Sequence, residues 1–197
     1  MLLENIETFK NNIQFSYDMA RLKRFARYKD LERPYTRISK YRKKSFIKAN
    51  PNKVIVRYDM GDVNKKFPCT LNLLAKEGLQ IRHNAIESAR QSSNRLLENT
   101  LGRKGYYFKV KIYPFHILRE NPLASGAGAD RFSTGMKHSF GKPISSAARV
   151  KKGQALFTIS IDTQNLGIAR KAMDSARHKM PCSCSIQVIE NDKKKSI

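Results

Sequence analysis

The small residues at 126–130 (GAGAD) are the part of the chain most like a phosphate-binding loop. Such loops work because glycine lets backbone N–H groups approach a phosphate closely. A dinucleotide fingerprint also needs a third glycine and a helix that begins at once, and this segment has neither at that spacing. At 141–143 (GKP), proline replaces the serine or threonine that would hold magnesium in a Walker motif. We therefore expect no nucleotide cofactor.

His178, Cys182 and Cys184 are the residues whose types and spacing could bind a metal ion. A structural zinc site needs a fourth ligand, and the remaining cysteine, Cys69, is distant in sequence. We favour a pair of buried or half-buried thiols beside a strand, and predict no metal site. Three cysteines cannot form a disulfide framework, and their odd number indicates a reducing compartment.

The chain has no recognisable catalytic set. His83 precedes a predicted helix and His116 lies in a predicted strand, and neither has an obvious carboxylate partner. No Ser-His-Asp or Cys-His combination is evident. We predict that the protein is not an enzyme.

The net charge indicates what the protein binds. The 197 residues contain 39 Lys and Arg against 16 Asp and Glu, a net charge of +23. Residues 19–53 hold thirteen basic and two acidic residues, and residues 102–152 hold eleven and two. Such charge opposes compact folding and self-association unless a polyanion neutralises it. We expect a nucleic-acid partner and no homo-oligomer.

The apolar content limits the architecture. Hydrophobic residues make up 40% of the chain, which is enough for one compact core. No apolar run approaches the roughly 18 residues that a membrane-spanning helix needs. We predict a single domain and no membrane partner.

Residues 19–52 are predicted to be an extended basic arm that binds RNA. Aromatic rings lie between its cations, and Pro34 and Pro51 interrupt any long helix. Arg and Lys neutralise phosphates, while aromatic rings stack on unpaired bases. An ordinary solvated basic stretch is the alternative. The predicted contacts are Arg21, Lys23, Arg24, Arg27, Arg33, Tyr35, Arg37, Arg42, Lys43 and Lys44.

Two short segments flank the arm and the domain. Residues 1–18 are mildly acidic and lack the basic start of a secretory signal. They are either an extension that the fold does not need or a short amphipathic helix through Ile6, Phe9 and Ile13. Residues 191–197 are predicted to be a frayed basic tail.

Residues 53–190 are predicted to form one α+β domain. Alternating or Val- and Ile-rich segments predict strands at 53–58, 68–76, 106–113, 115–119, 144–150, 155–161 and 185–190. Apolar stripes predict helices at 84–101 and 165–179. Residues 59–62 are predicted to be a turn, and residues 151–154 to close a hairpin. Without regular βαβ alternation, this order favours two amphipathic helices on one side of a mixed sheet.

Local patterns place some side chains within these elements. Asn84 and Glu87 have the spacing of a capping box at the start of the first helix. The opposite face of this helix should offer Arg90, Asn94 and Arg95 to solvent or RNA.

The strand at 106–113 should have a buried face and a basic, aromatic outer face that carries Tyr107, Lys109, Lys111 and Tyr113. Residues 120–143 form a long loop rich in small residues, which we predict to be functional. A plain disordered loop is the alternative.

Several motifs resemble one known family. They are residues 28–37 (YKDLERPYTR), 81–85 (IRHNA), 113–121 (YPFHILREN), 126–131 (GAGADR), 134–136 (TGM), 140–143 (FGKP) and 148–154 (ARVKKGQ). Together they resemble the L sixteen family of large-subunit ribosomal proteins, in its archaeal form, which is called L ten e. The resemblance extends from about residue 28 to residue 190.

This resemblance implies an α/β-hammerhead fold bound to large-subunit rRNA in the cytoplasm. It also implies a position beside the aminoacyl-tRNA path, with neighbouring ribosomal proteins, and late incorporation during subunit assembly. The loop around 121–134 would reach toward the peptidyl transferase centre. The loop residues implied are Asn121, Ser125, Gly126, Ala127, Gly128, Ala129, Asp130 and Arg131.

Two departures from the family pattern are visible: the extension before Met19, and Pro122-Leu123 where a basic residue and methionine are expected. The second leaves the loop tip with less charge, which weakens a direct contact with tRNA phosphate. The remaining predicted rRNA contacts are Arg82, His83, Lys109, Lys111, His116, Arg119, Lys142, Arg149, Lys151 and Lys152.

The sequence therefore predicts a structural constituent of the large ribosomal subunit, with no cofactor and no small-molecule substrate. One alternative is a free-standing RNA-modifying or nucleotide-using enzyme with the glycine-rich loop as its site. Another is an RNA chaperone that is not bound to ribosomes.

Overall fold

The computed structural model describes residues 50–121 and 135–190, together with Lys29 and Ser133. The predicted extension at 1–18, the arm apart from Lys29 and its last residues, and the tail at 191–197 lie outside these residues. Where the chain is described, neither helix combines the length and the apolar character that crossing a bilayer requires.

The described residues form an α+β fold with eight strands and two helices. Their order is β1 (Asp59–Gly61), β2 (Cys69–Ala75), β3 (Leu79–Arg82), α1 (His83–Leu101), β4 (Tyr106–Val110), β5 (His116–Glu120), β6 (Lys142–Val150), β7 (Ala155–Ile161), α2 (Leu166–Arg177) and β8 (Cys184–Glu190). Short 3-10 turns cover Met136–His138 and Thr163–Asn165.

The strands build two sheets. A larger sheet has the order β1-β4-β7-β2-β8, and a smaller one has the order β3-β6-β5. Every strand pair in both sheets is antiparallel. The prediction of one mixed sheet is therefore wrong. A sheet without parallel pairs needs no helical crossover between neighbouring strands, which fits the irregular order of elements.

One core joins the larger sheet to the helices. Along β2 and β4 every second side chain is buried, including Leu71 and Leu73 on β2 and Phe108 on β4. The two helices pack against each other, where the Ser93 hydroxyl donates to the carbonyl of Ala172 at 2.8 Å. The buried faces of the strands and the apolar stripes of the helices therefore pack together in a single apolar layer.

The predicted hairpin between β6 and β7 is wrong. The two strands follow one another in sequence, yet β6 pairs with β3 and β5 while β7 pairs with β2 and β4. The connecting turn bonds to the end of β2: Gly153 N–H donates to the Ala75 carbonyl at 2.7 Å, and Ala75 N–H donates to the Gln154 carbonyl at 3.1 Å. Gly153 has a φ of +78°, which glycine adopts without strain. The turn thus carries the chain from one sheet to the other.

The start of the domain also differs from the prediction. Residues 53–57 have no strand partner, and the strand β1 covers the first three of the four residues predicted to be a turn. Ile55 is buried in the core while Val54 and Val56 are exposed, so the alternation is real although no ladder forms. The short strand β3, with three buried residues in succession, was not predicted.

The first helix begins one residue before the predicted position, and its start has no side-chain cap within the described residues. Glu87 is buried and pairs with Arg90 through bonds of 2.7 and 2.8 Å. The predictions of a capping box and of an exposed Arg90 are therefore wrong. Asn94 accepts a 2.7 Å bond from the Tyr106 hydroxyl, and Arg95 is exposed as predicted.

The Glu87–Arg90 pair connects α1 to β1 and to the segment before it. Arg90 Nη1 lies 3.2 Å from Met60 Sδ, and Gln91 Nε2 donates to Glu87 at 3.0 Å. Burial alone would raise the pKa of Glu87, but hydrogen bonds from Arg90, Gln91 and the backbone of Val56 lower it. The carboxylate is therefore ionised and multiply bonded inside the fold.

We expect Glu87→Gln to lower the free energy of unfolding by about 3 kcal/mol, because Arg90 would stay buried without its counter-charge. Urea unfolding followed by circular dichroism measures this. Glu98→Gln is the matched control on the same helix, since Glu98 pairs with Arg103, whose side chain is 87% exposed. Equal losses in the two variants would contradict a structural role for the buried pair.

Candidate nucleic-acid interface

The smaller sheet gathers three of the predicted RNA-contacting residues on one face. The register sets Arg82 opposite Ala147, and Ala147 opposite His116. Arg149 lies two residues beyond Ala147 and shares its face, because strand side chains alternate. All three predicted residues are half-buried. We call Arg82, His116 and Arg149 the basic sheet face.

The opposite side of this sheet explains why the face is held firmly. Ile81, Ile117 and Ala148 are each at most 1% exposed and belong to the buried core of the protein. Because the buried side chains fix the register of the strands, the side chains on the other face stay on that face.

His83 differs from the other predicted contacts, because both of its ring nitrogens have internal partners. Val54 N–H donates to Nδ1 at 3.2 Å, so the ring proton is on Nε2, which lies 2.9 Å from the Ser145 hydroxyl. Burial, with a further contribution from Arg82, lowers the pKa of His83. The ring is therefore neutral at pH 7 and connects α1 to β6 instead of offering a cation to phosphate.

The long predicted loop is held at its base by β5 and β6. Glu120 is opposite Lys142 and Arg119 is opposite Pro143, with a register shift between Leu118 and Arg119. Asn121 Nδ2 donates to the Gly135 carbonyl at 3.2 Å. The loop residues Ser125 to Arg131 lie outside the described residues, whereas Asn121 belongs to the base.

Gly141 fits closely against the other strand of the base. A Cβ atom at this position would lie 2.6 Å from the carbonyl carbon and oxygen of Glu120, and φ is +76°. Only glycine satisfies both conditions without displacement. Beside it, the Arg119 guanidinium lies 3.8 Å from the centre of the Phe140 ring. An open cleft of about 390 Å³ is lined by Arg119, Glu120, Asn121, Ser139 and Phe140.

Lys109 lies on the outer face of the larger sheet as predicted, but it has a carboxylate partner. Its Nζ is 3.2 Å from Asp59 Oδ1, and the Tyr107 hydroxyl donates to the same oxygen at 2.6 Å. The hydrogen bond to Asp59 raises the pKa of Lys109. A phosphate would have to compete with Asp59 for this ammonium group. Sequence reasoning missed the pair, because the residue opposite Lys109 depends on strand register.

The other predicted lysines within the described residues are exposed. Lys111 follows β4, Lys142 begins β6, and Lys151 and Lys152 lie in the turn that joins the two sheets. Their side chains are on the surface, where a polyanion can reach them.

A stack of aromatic rings is the part of the surface that sequence reasoning missed. Tyr58 and Tyr113 stack with ring centroids 5.4 Å apart, and the Phe115 ring packs against Tyr113 at 4.4 Å with its plane tilted by 48°. Lys53 Nζ lies 4.4 Å from the Tyr113 ring centre and donates to its hydroxyl at 2.9 Å. Burial, then the nearby Tyr113 and Glu87, raises the pKa of Tyr58 to about 12. Phe115 ends the stack and is 63% exposed.

The run at 113–115 (YPF) was the available signal for this stack. One aromatic residue on each side of a proline, at the end of an alternating strand, indicates rings at a sheet edge. Tyr58, however, is distant in sequence, so only the fold shows that it extends the stack.

Apart from its last residues, 50–52, the described part of the arm is Lys29. Lys29 Nζ lies 3.3 Å from Glu77 Oε2, just after β2. The ten predicted arm contacts lie outside the described residues. Within the described part of the chain, no three His, Cys, Asp or Glu side chains are close enough together to hold a metal ion.

The family model for Ribosomal protein L16p/L10e matches residues 36–187. The chain is 44% identical over 161 residues to large ribosomal subunit protein uL16 of Methanococcus aeolicus, covering 82% of this chain and 90% of the relative. It is 43% identical over 148 residues to the uL16 protein of Methanococcus maripaludis, covering 75% and 86%. For the uL16 protein of Methanocella arvoryzae the identity is 44% over 141 residues, covering 72% and 82%.

We expect Gly141→Ala to lower the free energy of unfolding by about 1–3 kcal/mol, because the new methyl group would meet the Glu120 peptide at a positive φ. Gly135→Ala is the control: its φ is also positive, at +62°, but a Cβ there meets nothing within 4 Å. Thermal denaturation of both variants separates steric overlap from backbone strain. A loss in Gly135→Ala as large as that in Gly141→Ala would contradict the close fit at the loop base.

Proposed function

The chain belongs to the ribosomal protein L16p/L10e family, and from this we propose that it binds large-subunit rRNA through the basic sheet face, the exposed lysines and the basic arm. It is a large-subunit ribosomal protein and not an enzyme. It is thus a constituent of the cytoplasmic ribosome, as in archaea. The single observation that carries the proposal is the family match over residues 36–187.

The charge distribution supports contact with rRNA. Within the described residues, several carboxylates already bond to nearby cations, as Asp59 does to Lys109 and Glu87 to Arg90. The exposed turn lysines Lys151 and Lys152 lie elsewhere on the surface, where RNA can approach them, and the chain as a whole has a net charge of +23. Release of counterions from phosphates then supplies most of the binding free energy.

The loop supports a second part of the proposal, which concerns tRNA. Its two ends leave adjacent strands and are joined by the Asn121–Gly135 bond, so the chain between them starts from a rigid platform. We propose that this loop lies beside the aminoacyl-tRNA path and assists tRNA accommodation and late subunit assembly. The Gly141→Ala variant also tests this role, since subunits that carry it should accommodate tRNA more slowly than unaltered subunits.

The proposal as a whole is tested by sedimentation. The tagged full-length chain, expressed in a methanogenic archaeon, should sediment in one-to-one ratio with large subunits. If it remains at the top of the gradient while large subunits sediment normally, the ribosomal role is wrong and the chain binds RNA independently of the ribosome.

Binding of the chain to a large-subunit rRNA fragment should weaken steeply with salt. If it engages about 8 phosphates, the slope of log K against log salt is between about −6 and −7. Replacing Lys151 and Lys152 with alanine should reduce the magnitude of this slope by about 1–2, since each lost phosphate contact removes roughly one counterion. Filter binding over a range of potassium concentrations measures it.

Arg170 and Lys171 provide the matched control, because both are exposed and lie on α2, away from the predicted contacts. Their replacement with alanine removes the same charge and should leave the slope unchanged. A wild-type slope near −1, or equal effects of the two double variants, would mean that the charge is only solvated surface.

Phe115 should supply affinity that does not depend on charge. Its exposed ring ends the aromatic stack, so an unpaired base can extend that stack, which is worth about 1–3 kcal/mol. Phe115→Ala should weaken binding to the rRNA fragment by that amount without changing the salt slope. Phe115→Trp should retain the affinity. If alanine has no effect, or if it changes the slope, no base stacks on this ring.

A further inference from the structure

Cys182 and Cys184 lie side by side at the start of β8. Their Sγ atoms are 3.5 Å apart, and Cys184 Sγ is also 3.5 Å from the Cys182 carbonyl oxygen. In a regular strand, residues two apart point the same way but are separated by the strand rise. Here a bend at 181–182 precedes β8 and returns the first thiol toward the second.

The backbone on both sides holds this arrangement in place. Cys184 is opposite Ala75 in the ladder between β2 and β8, and Lys76 N–H donates to the Ser183 carbonyl at 3.0 Å. The proximity of the two sulfur atoms is therefore fixed by the end of a sheet and not by a flexible loop.

The two thiols differ in exposure and electrostatics. Cys182 is half-buried, while Cys184 is buried at 5% exposure. The hydrogen bond from Cys182, with the positive charges of Arg177 and Lys76, lowers the pKa of Cys184. The Cys184 bond together with burial raises the pKa of Cys182. The pair thus favours a thiolate on Cys184 and a proton on Cys182.

We propose that Cys182 and Cys184 are an oxidative modification site, which hydrogen peroxide or another hydroperoxide converts to an intrachain disulfide. The inference is independent of RNA binding, and it rests on the 3.5 Å separation of the sulfur atoms and on the half-buried position of Cys182, which gives peroxide access to the pair.

The steps balance as follows. The Cys184 thiolate attacks one peroxide oxygen, an S–O bond forms, the O–O bond breaks, and the departing hydroxide takes a proton to become water. The Cys182 sulfur then attacks the resulting sulfenic acid, an S–S bond forms, and the S–O bond breaks with loss of a second water. Two thiols lose two electrons and two protons, and one hydrogen peroxide becomes two waters.

Cys69 is the internal control. It is 1% exposed on β2, where its ladder partners are Ile161 and Glu190, and so it lies within the larger sheet. Oxidation governed by access and by a nearby second thiol should leave it reduced.

The experiment uses the folded full-length chain and hydrogen peroxide. After the peroxide is removed, the chain is denatured, alkylated and analysed by peptide mass spectrometry. We expect Cys69 alone to be alkylated, with a disulfide between Cys182 and Cys184 that dithiothreitol reverses. Oxidation in concentrated urea should instead give a mixture of pairings that includes Cys69, because the fold no longer selects the partner.

Two variants test the steps. Cys69→Ser should form the same disulfide as the unaltered chain. Cys182→Ser, whose changed side chain is half-exposed and should not prevent folding, should lose the disulfide and leave Cys184 as a sulfenic acid that dimedone labels. Retention of all three thiols at peroxide concentrations that oxidise glutathione would overturn the proposal. Disulfides between chains or with Cys69 in the folded protein would overturn it as well.

Discussion

Two backbone hydrogen bonds between Ala75 and the turn at 151–154 hold the two sheets together. Ala75 accepts a bond from Gly153 and donates one to Gln154, so the end of β2 fixes the point at which the chain leaves the smaller sheet and enters the larger one. The basic sheet face and the loop base both belong to the smaller sheet. The main apolar layer lies between the larger sheet and the helices. The surfaces proposed to contact RNA are therefore positioned by strands whose other side packs into the core.

Acidic residues in the described part of the chain have positional roles. Glu87 binds Arg90 inside the protein, Asp59 orients Lys109 on the sheet surface, and Glu77 holds Lys29 beside β2. The Glu87–Arg90 pair is buried and fixes its cation, the two exposed pairs contribute little, and the remaining cations keep the surface strongly positive. A protein with this charge is stable in isolation only to the extent that its core outweighs self-repulsion, and binding of a polyanion relieves that repulsion.

Much of the fold could be predicted from periodicity, because periodicity reports which side of an element is buried. The helix at 83–101 and the strands around Phe108 and Ile159 agree with their patterns. Periodicity does not predict which strands pair with each other. The segments of β6 and β7 have the pattern of a hairpin, yet the two strands belong to different sheets. The capping box failed because Glu87 is used by Arg90, three residues later and on the buried side. At the proposed interface, residue type singled out candidate cations, whereas Asp59 beside Lys109 and Tyr58 stacked on Tyr113 depend on tertiary contacts.

The closed base at Asn121 and Gly135 has a consequence for how this family can change its sequence. Because the two ends are joined by a hydrogen bond and by adjacent strands, the chain between them can gain or lose residues while β5 and β6 stay in register. Lengthening a closed loop costs little conformational entropy, about 0.6 kcal/mol for each doubling. Insertions and deletions between Asn121 and Gly135 therefore have little effect on the core. Loop length can therefore vary while the stability of the domain is hardly affected.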